Sequence, residues 1–278
     1  EVQGFATAES EQGTSNLLST LSNLRAADLA AVIQDLAPKR RVEVARGLDD
    51  ERLADVLEEM DEAERVALLS ELEGERAADV LGEMDPDDAA DLLREVGEER
   101  AQVLIDLMEP EDAEDVIRLM TYEDYSAGGM MTTEPLIMSA DYTVADALAV
   151  VRKSEISPAL ASQVFVTRQP LETPTGRFIG MVHYQRLLRE PPATLLGSLV
   201  DTDTQGLSPD ATLNEVSSYL ASYNLLSVPV VDGNERLLGA VTVDDVLDHL
   251  LPDNWRVDHR DHTRTDLENL TQRVEGQV

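Results

Sequence analysis

Residues 51–60 read ERLADVLEEM, residues 75–84 ERAADVLGEM and residues 99–108 ERAQVLIDLM, so one phrase returns every 24 residues. Between the copies lie 61–72, 85–96 and 109–120, related to each other by the same step and to the first set by a half-step of 12. Counting back to about Ala27 gives eight units of 12 over residues 27–122. Within a unit the apolar positions fall as in Leu53, Val56, Leu57 and Met60, the spacing of one helical face. Pro38, Pro86 and Pro110 each open a half-repeat beside acidic residues suited to a helix N-terminus. Helices of about ten residues are marginal alone. They must stack, and residues 27–122 are predicted to form an acidic superhelix of short helix pairs.

Charge divides the chain as clearly as pattern does. Of 56 Asp and Glu against 22 Lys and Arg in 278 residues, 27 acidic and 6 basic side chains fall in 51–124, and 21 and 11 in 125–278. A net charge of −34 repels phosphate backbones and anionic lipid, which argues against nucleic acid as a partner and for cations or basic surfaces. The triplet Lys39, Arg40 and Arg41 reads as an intramolecular ion-pair patch. The absence of cysteine removes thiolate metal sites and disulfides and fits a cytoplasmic setting. No apolar run reaches the roughly 20 residues of a spanning helix. No signal peptide is recognisable, and Glu1 in place of Met suggests a piece of a longer protein.

From Ala127 the pattern alternates strand-like runs with helical periodicity, twice. The first copy runs from Met130–Ile137 through a helix from Thr143, a strand 164–166, a turn-rich insertion to Arg177, a strand from Phe178 and a closing helix. The second runs from Gly206–Ser208 through a helix Thr212–Tyr223, the strand Ser227–Val231, the turn at Asp232–Asn234, the strand Leu237–Val241 and a helix Val243–Leu250. The order is strand, helix, strand, strand, helix in both. The fold class is therefore α + α/β.

The stretch SVPVVDGNERLLGAVTVDDVL at 227–247 resembles the CBS domain, a module that occurs in pairs and often binds adenosyl ligands. With the acidic repeat upstream and Ala127–Thr132 (AGGMMT) between, the chain resembles the cytoplasmic region of MgtE-type magnesium transporters. The resemblance implies a segment 1–26, a superhelical N domain over 27–124, CBS copies at 125–198 and 199–251 and a tail or connecting helix over 252–278. It implies a magnesium sensor, homodimeric through its CBS domains, in which Mg2+ bridges acidic residues and closes the N domain on the CBS pair. The membrane transport domain it serves would stand in cis outside this chain or as a partner in trans, at an inner membrane.

Asp87, Asp88 and Asp91 form the preferred acidic patch, Asp87 and Asp91 lying one helical turn apart. Asp55, Asp79, Asp91 and Asp115 recur at one repeat position and otherwise make a solvated ridge. Asp245 and a backbone carbonyl of Gly128 or Gly129 match the family's other metal ligands, whereas Asn214 and Asn224 stand where the family has acids. For ATP or another adenine nucleotide the Gly-x-x-Thr-x-x-Asp signature is kept as Gly239, Thr242 and Asp245. The first copy offers Gly180, His183 and Arg186 instead, and Leu225 replaces an adenine-stacking aromatic. His259 and His262 beside Asp258 and Asp261 have metal-compatible spacing but read as a polar tail, with Leu267, Leu270 and Val274 as a brief helix. No catalytic motif is present, so no enzyme activity is expected. An alternative is an adenine-nucleotide regulator whose acidic solenoid docks a protein; a plain scaffold is weaker.

Overall fold

The computed structural model describes residues 24–153, 156–252 and 255. His259, His262 and the brief helix expected at Leu267, Leu270 and Val274 lie outside the described residues. Two compact units emerge, residues 24–113 and Glu114–Leu251.

The first unit is a file of helices: α1 Ala26–Asp35, α2 Pro38–Gly47, α3 Asp50–Glu58, α4 Glu62–Ser70, α5 Gly74–Glu83, α6 Pro86–Val96, α7 Glu98–Ile105 and the start of α8, Pro110–Leu119. Their first residues fall every 12 positions, as the half-repeat predicts. Pro38 and Pro86 occupy first-turn positions, and Asp49 and Asp61 cap α3 and α4 by accepting from the N–H of Arg52 (2.9 Å) and Glu64 (3.2 Å). Much of the packing is between helices two places apart, α1 on α3, α3 on α5, α5 on α7 and α4 on α6, while α6 also packs closely on its neighbour α7. Leu53, Val56, Leu57 and Met60 of α3 and the loop after it are at most 1% exposed. Burial of each such side chain contributes about 1.5–3 kcal/mol, which propensity alone could not supply to helices this short.

Arginines at the 24-residue step reinforce the stack. Arg52 donates to the carbonyl of Leu24, Arg76 to those of Leu48 (2.7 Å) and Ala45 (3.1 Å), and Arg100 to that of Leu69 (3.4 Å). Arg76 and Arg100 thereby satisfy carbonyls at the C-terminal end of a helix about 30 residues back, where a cation also suits the dipole, whereas Leu24 lies just before the start of α1. Arg41 pairs with Glu64 and Arg40 with Glu43, so the basic triplet supplies internal ion pairs.

In the second unit β1 Ile137–Ser139, β2 Gln163–Thr167 and β3 Phe178–His183 form one sheet, β1 parallel and β3 antiparallel to β2, with α9 Val144–Val151 and the short α10 Tyr184–Leu187. The other copy has α11 Leu213–Tyr223, the antiparallel pair β4 Ser227–Val231 and β5 Leu237–Thr242, and α12 Val243–Leu250, with Leu207 bridging parallel to Val230. Thr143, Thr212 and Thr242 each build a capping box with the acid three residues on.

One expectation is corrected. Met130–Thr132 does not open the first copy's sheet; the backbone of Thr132 pairs with Ala240 on β5, and Ser126 with Thr212. Conversely Asp201 pairs with Met181 on β3, and Leu195 with Thr143. The segment preceding each copy is thus built into the other. The exchange needs two close approaches. A side chain on Gly239 would lie 2.3 Å from the Thr132 oxygen, and one on Gly180, at φ +150°, 2.2 Å from the Asp201 oxygen. Gln163 and Ser227, each opening a central strand and each fully buried, join the copies through Gln163 Nε2, which donates to the Ser227 carbonyl (2.7 Å) and Oγ (2.6 Å).

Candidate functional site

In the first unit the last residue of α3, Glu58, meets the residues that open α6. Oxygens of Glu58, Asp85 and Asp88 lie within 4.8 Å of one another. Glu58 accepts from the backbone N–H of Asp85 at 2.8 Å. Burial first, and then the charges of Asp85, Asp55 and Glu59, push the Glu58 carboxyl up to about 7, although the Asp85 N–H works against them. Beside this group burial pulls the Arg65 guanidinium down, but its hydrogen bonds to Glu95 (2.9 Å to Oε2) and the charges of Glu95, Asp88 and Asp91 outweigh that and raise it. Three crowded hard oxygens, one holding a proton near neutrality, make a donor set that a small divalent cation satisfies.

Asp88, chosen from the sequence, is in this group. Asp87 is 8% exposed, and Asp91 is half-buried and paired with Arg94. Glu58 and Asp85 were missed. A signal existed: an acid in the last turn of a helix opposes the dipole, and Glu58 ends α3 with Glu59 after it. Of the ridge positions, Asp55 pairs with Arg52 (3.4 Å) and Asp79 is exposed.

In the second unit Gly128 and Gly129 are buried. The N–H of Gly128 donates to Pro209 (2.8 Å) and that of Gly129 to Ser126 Oγ (3.1 Å). A side chain on Gly129 would lie 2.2 Å from the Glu123 oxygen, so backbone crowding alone accounts for glycine there. Asp115 accepts from Thr133 Oγ1 (2.8 Å) and pairs with Arg118 (2.8 Å). Thr242 and Asp245 meet where β5 turns into α12, and Gly239 lies within β5 opposite Val230. Thr242 Oγ1 donates to Asp245 Oδ2 (2.6 Å), which also accepts from the Thr242 N–H (3.1 Å). The corresponding turn of the first copy has no side-chain cap, and Arg186 pairs with Glu190 (3.0 Å).

The model of the MgtE intracellular N domain matches residues 24–125, and that of the CBS domain matches 196–252. A crystal structure of the cytosolic domain of the Mg2+ channel MgtE in complex with ATP superimposes with a TM-score of 0.75 at 30% identity, over 88% of this chain and 98% of that one. The chain belongs to the MgtE family. A crystal structure of the soluble part of a magnesium transporter agrees as well, with a TM-score of 0.77 at 27% identity over 87% of this chain and 93% of that one. Among curated relatives, the magnesium transporter MgtE of Thermus thermophilus is 31% identical over 132 residues, 48% of this chain and 28% of the relative. That of Enterococcus faecalis is 27% identical over 154 residues, 55% and 33%. This MgtE-family chain therefore spans about a third or less of those relatives. Among its described residues no helix is long and apolar enough to cross a membrane.

Proposed function

We propose that the chain is a cytoplasmic Mg2+-sensing regulatory region governing magnesium transport across an inner membrane, by ion-bridged closure of an N domain (27–124) on a CBS pair (125–198 and 199–251), with 1–26 and 252–278 flanking. The observation that carries the cation-sensing part of this reading is the grouping of Glu58, Asp85 and Asp88, all within the first unit, in a member of this family. Without a cation the three carboxylates repel and Glu58 holds its proton; a divalent ion would replace that proton and neutralise the others. The proposed oxygen donors are Glu58, Asp85 and Asp88, with Asp87, Asp91, Asp245 and the Gly128 and Gly129 carbonyls as further ligands. Mg2+ supplies charge neutralisation and no chemistry of bond making.

The test is small-angle scattering of the chain across 0 to about 20 mM Mg2+, a range suited to weak carboxylate sites, with Na+ holding ionic strength constant. The radius of gyration should fall saturably, and Glu58→Gln with Asp88→Asn should raise the midpoint about fivefold or more. A flat curve for the native chain defeats the reading.

A second ligand, ATP or another adenine nucleotide, is favoured by Thr242 and Asp245 meeting at the β5–α12 turn and by the ATP named in the similar structure. Homodimerisation through the CBS domains is supported by the exposed Leu188, Tyr223, Leu226, Leu247 and Leu250. Sedimentation equilibrium decides it: a monomer at micromolar concentration removes the dimer from the proposal.

A further inference from the structure

In the second copy β4 and β5 are joined by residues 232–236; in the first, β2 and β3 are joined by 168–177, a connection twice as long. The extra length is tied down rather than loose. The N–H of Arg168 donates to Arg177 (2.9 Å) and that of Gly176 to Pro170 (2.8 Å), drawing the loop into a closed base. A side chain at Gly176 would lie 2.3 Å from the Gln169 oxygen, so the fold-back admits only glycine without a shift.

From that base the loop makes two sets of attachments. At its tip, Arg118 of α8 donates to the Thr173 carbonyl (2.9 Å) and Oγ1 (3.0 Å). Thr173 Oγ1 donates to the Thr133 carbonyl (3.1 Å), Thr133 Oγ1 donates to Asp115 (2.8 Å), and Asp115 pairs with Arg118 (2.8 Å). These four residues make a closed polar ring. Nearer β3, the N–H of Thr175, whose side chain is 1% exposed, donates to Leu237 (2.9 Å) and its Oγ1 accepts from the Leu237 N–H (3.1 Å). Phe178 likewise donates to Glu235 (2.7 Å). Leu237 opens β5, the strand that ends in Thr242.

The Nε–H of Arg118 is buried with no acceptor.

We propose that the loop 168–177 is a coupling strap that transmits a disturbance of β5 to the C-terminal half of α8 through Thr175, Thr173 and Arg118. Its use in regulation rests on the function proposed above; its existence does not.

The test is amide hydrogen exchange on the full chain, free of Mg2+ and nucleotide, so its outcome is separate from that of the sensor reading. Arg118→Gln and Thr173→Val should each speed exchange over 114–121 about fivefold or more and leave 50–105 unchanged. Val241→Ala, a cavity in β5, should speed exchange over 114–121 about threefold alone and by less than about 1.5-fold once Thr173→Val is present. Unchanged exchange at 114–121 in both single variants, or an undiminished Val241→Ala effect in the double variant, overturns the strap.

Discussion

The two units solve the same problem, burying short elements, in opposite ways. Residues 24–113 repeat a local solution, with Arg52, Arg76 and Arg100 at a fixed step each donating to a backbone carbonyl about 30 residues back, the last two at helix ends. In Glu114–Leu251 each copy is completed by a segment from before the other, and Gly180 and Gly239 are where those segments cross. Damage to the first kind of unit should be local and graded, and damage to the second global and abrupt.

The largest expected effect is at the crossings. Gly239→Ala and Gly180→Ala should each cost about 3 kcal/mol, the upper range for overpacking, read as loss of the second unit's transition in urea unfolding while α3 to α7 keep their exchange protection. A cost below about 1 kcal/mol at either position would break the comparison. Next comes Arg76→Ala, with a charged donor removed from two helix-terminal carbonyls. It should cost about 2 kcal/mol, with Arg100→Ala, which also loses a last-turn carbonyl contact, matching it within a factor of two if the repeat is uniform.

Glu58 gives a pH signature. Its folded-state value, about 7, exceeds the ordinary 4.5, so the native state binds the extra proton between those limits. Stability from this group is full below about 4.5 and is lost as pH rises through about 7. Glu58→Gln should then leave stability unchanged near pH 4 and raise it by about 2 kcal/mol at pH 8, without metal. Equal melting shifts at both pH values would show that burial at Glu58 is not what opposes its charge. Thr242→Ala should cost about 1 kcal/mol as a lost cap; isothermal titration with ATP then separates capping from ligand binding, since a cap alone leaves affinity intact. The exposed Arg177–Glu235 pair (2.7 Å) sets the floor: Arg177→Gln should change stability by under about 0.5 kcal/mol.

The repeating unit was legible because its apolar positions depend only on spacing along the chain, so helix starts at 38, 86 and 110 follow from proline and period together. The paired strands and the helices of each CBS copy were legible for the same reason, whereas the opening strand of the first copy was misplaced. The crossing was not, because AGGMMT pairs with a strand more than 100 residues later and carries no alternation that names its partner. At the candidate site Asp88 was found through local acidity, whereas Glu58 and Asp85 lie on different helices and meet only through stacking. The capping box of Thr242 and Asp245 shows the converse: the family signature there is also what local helix chemistry asks for.

Helices that begin every 12 residues and pack two places along make length a stepped quantity. Loss of a single residue inside one helix turns everything after it by about 100° and exposes its buried face. Excision of a whole 24-residue pair brings two equivalent faces together. Insertions and deletions inherited by this unit should therefore come in whole pairs or fall in the joints, and a carboxylate group assembled at a joint, as Glu58 and Asp85 are, sits where the chain's length has the most freedom to vary.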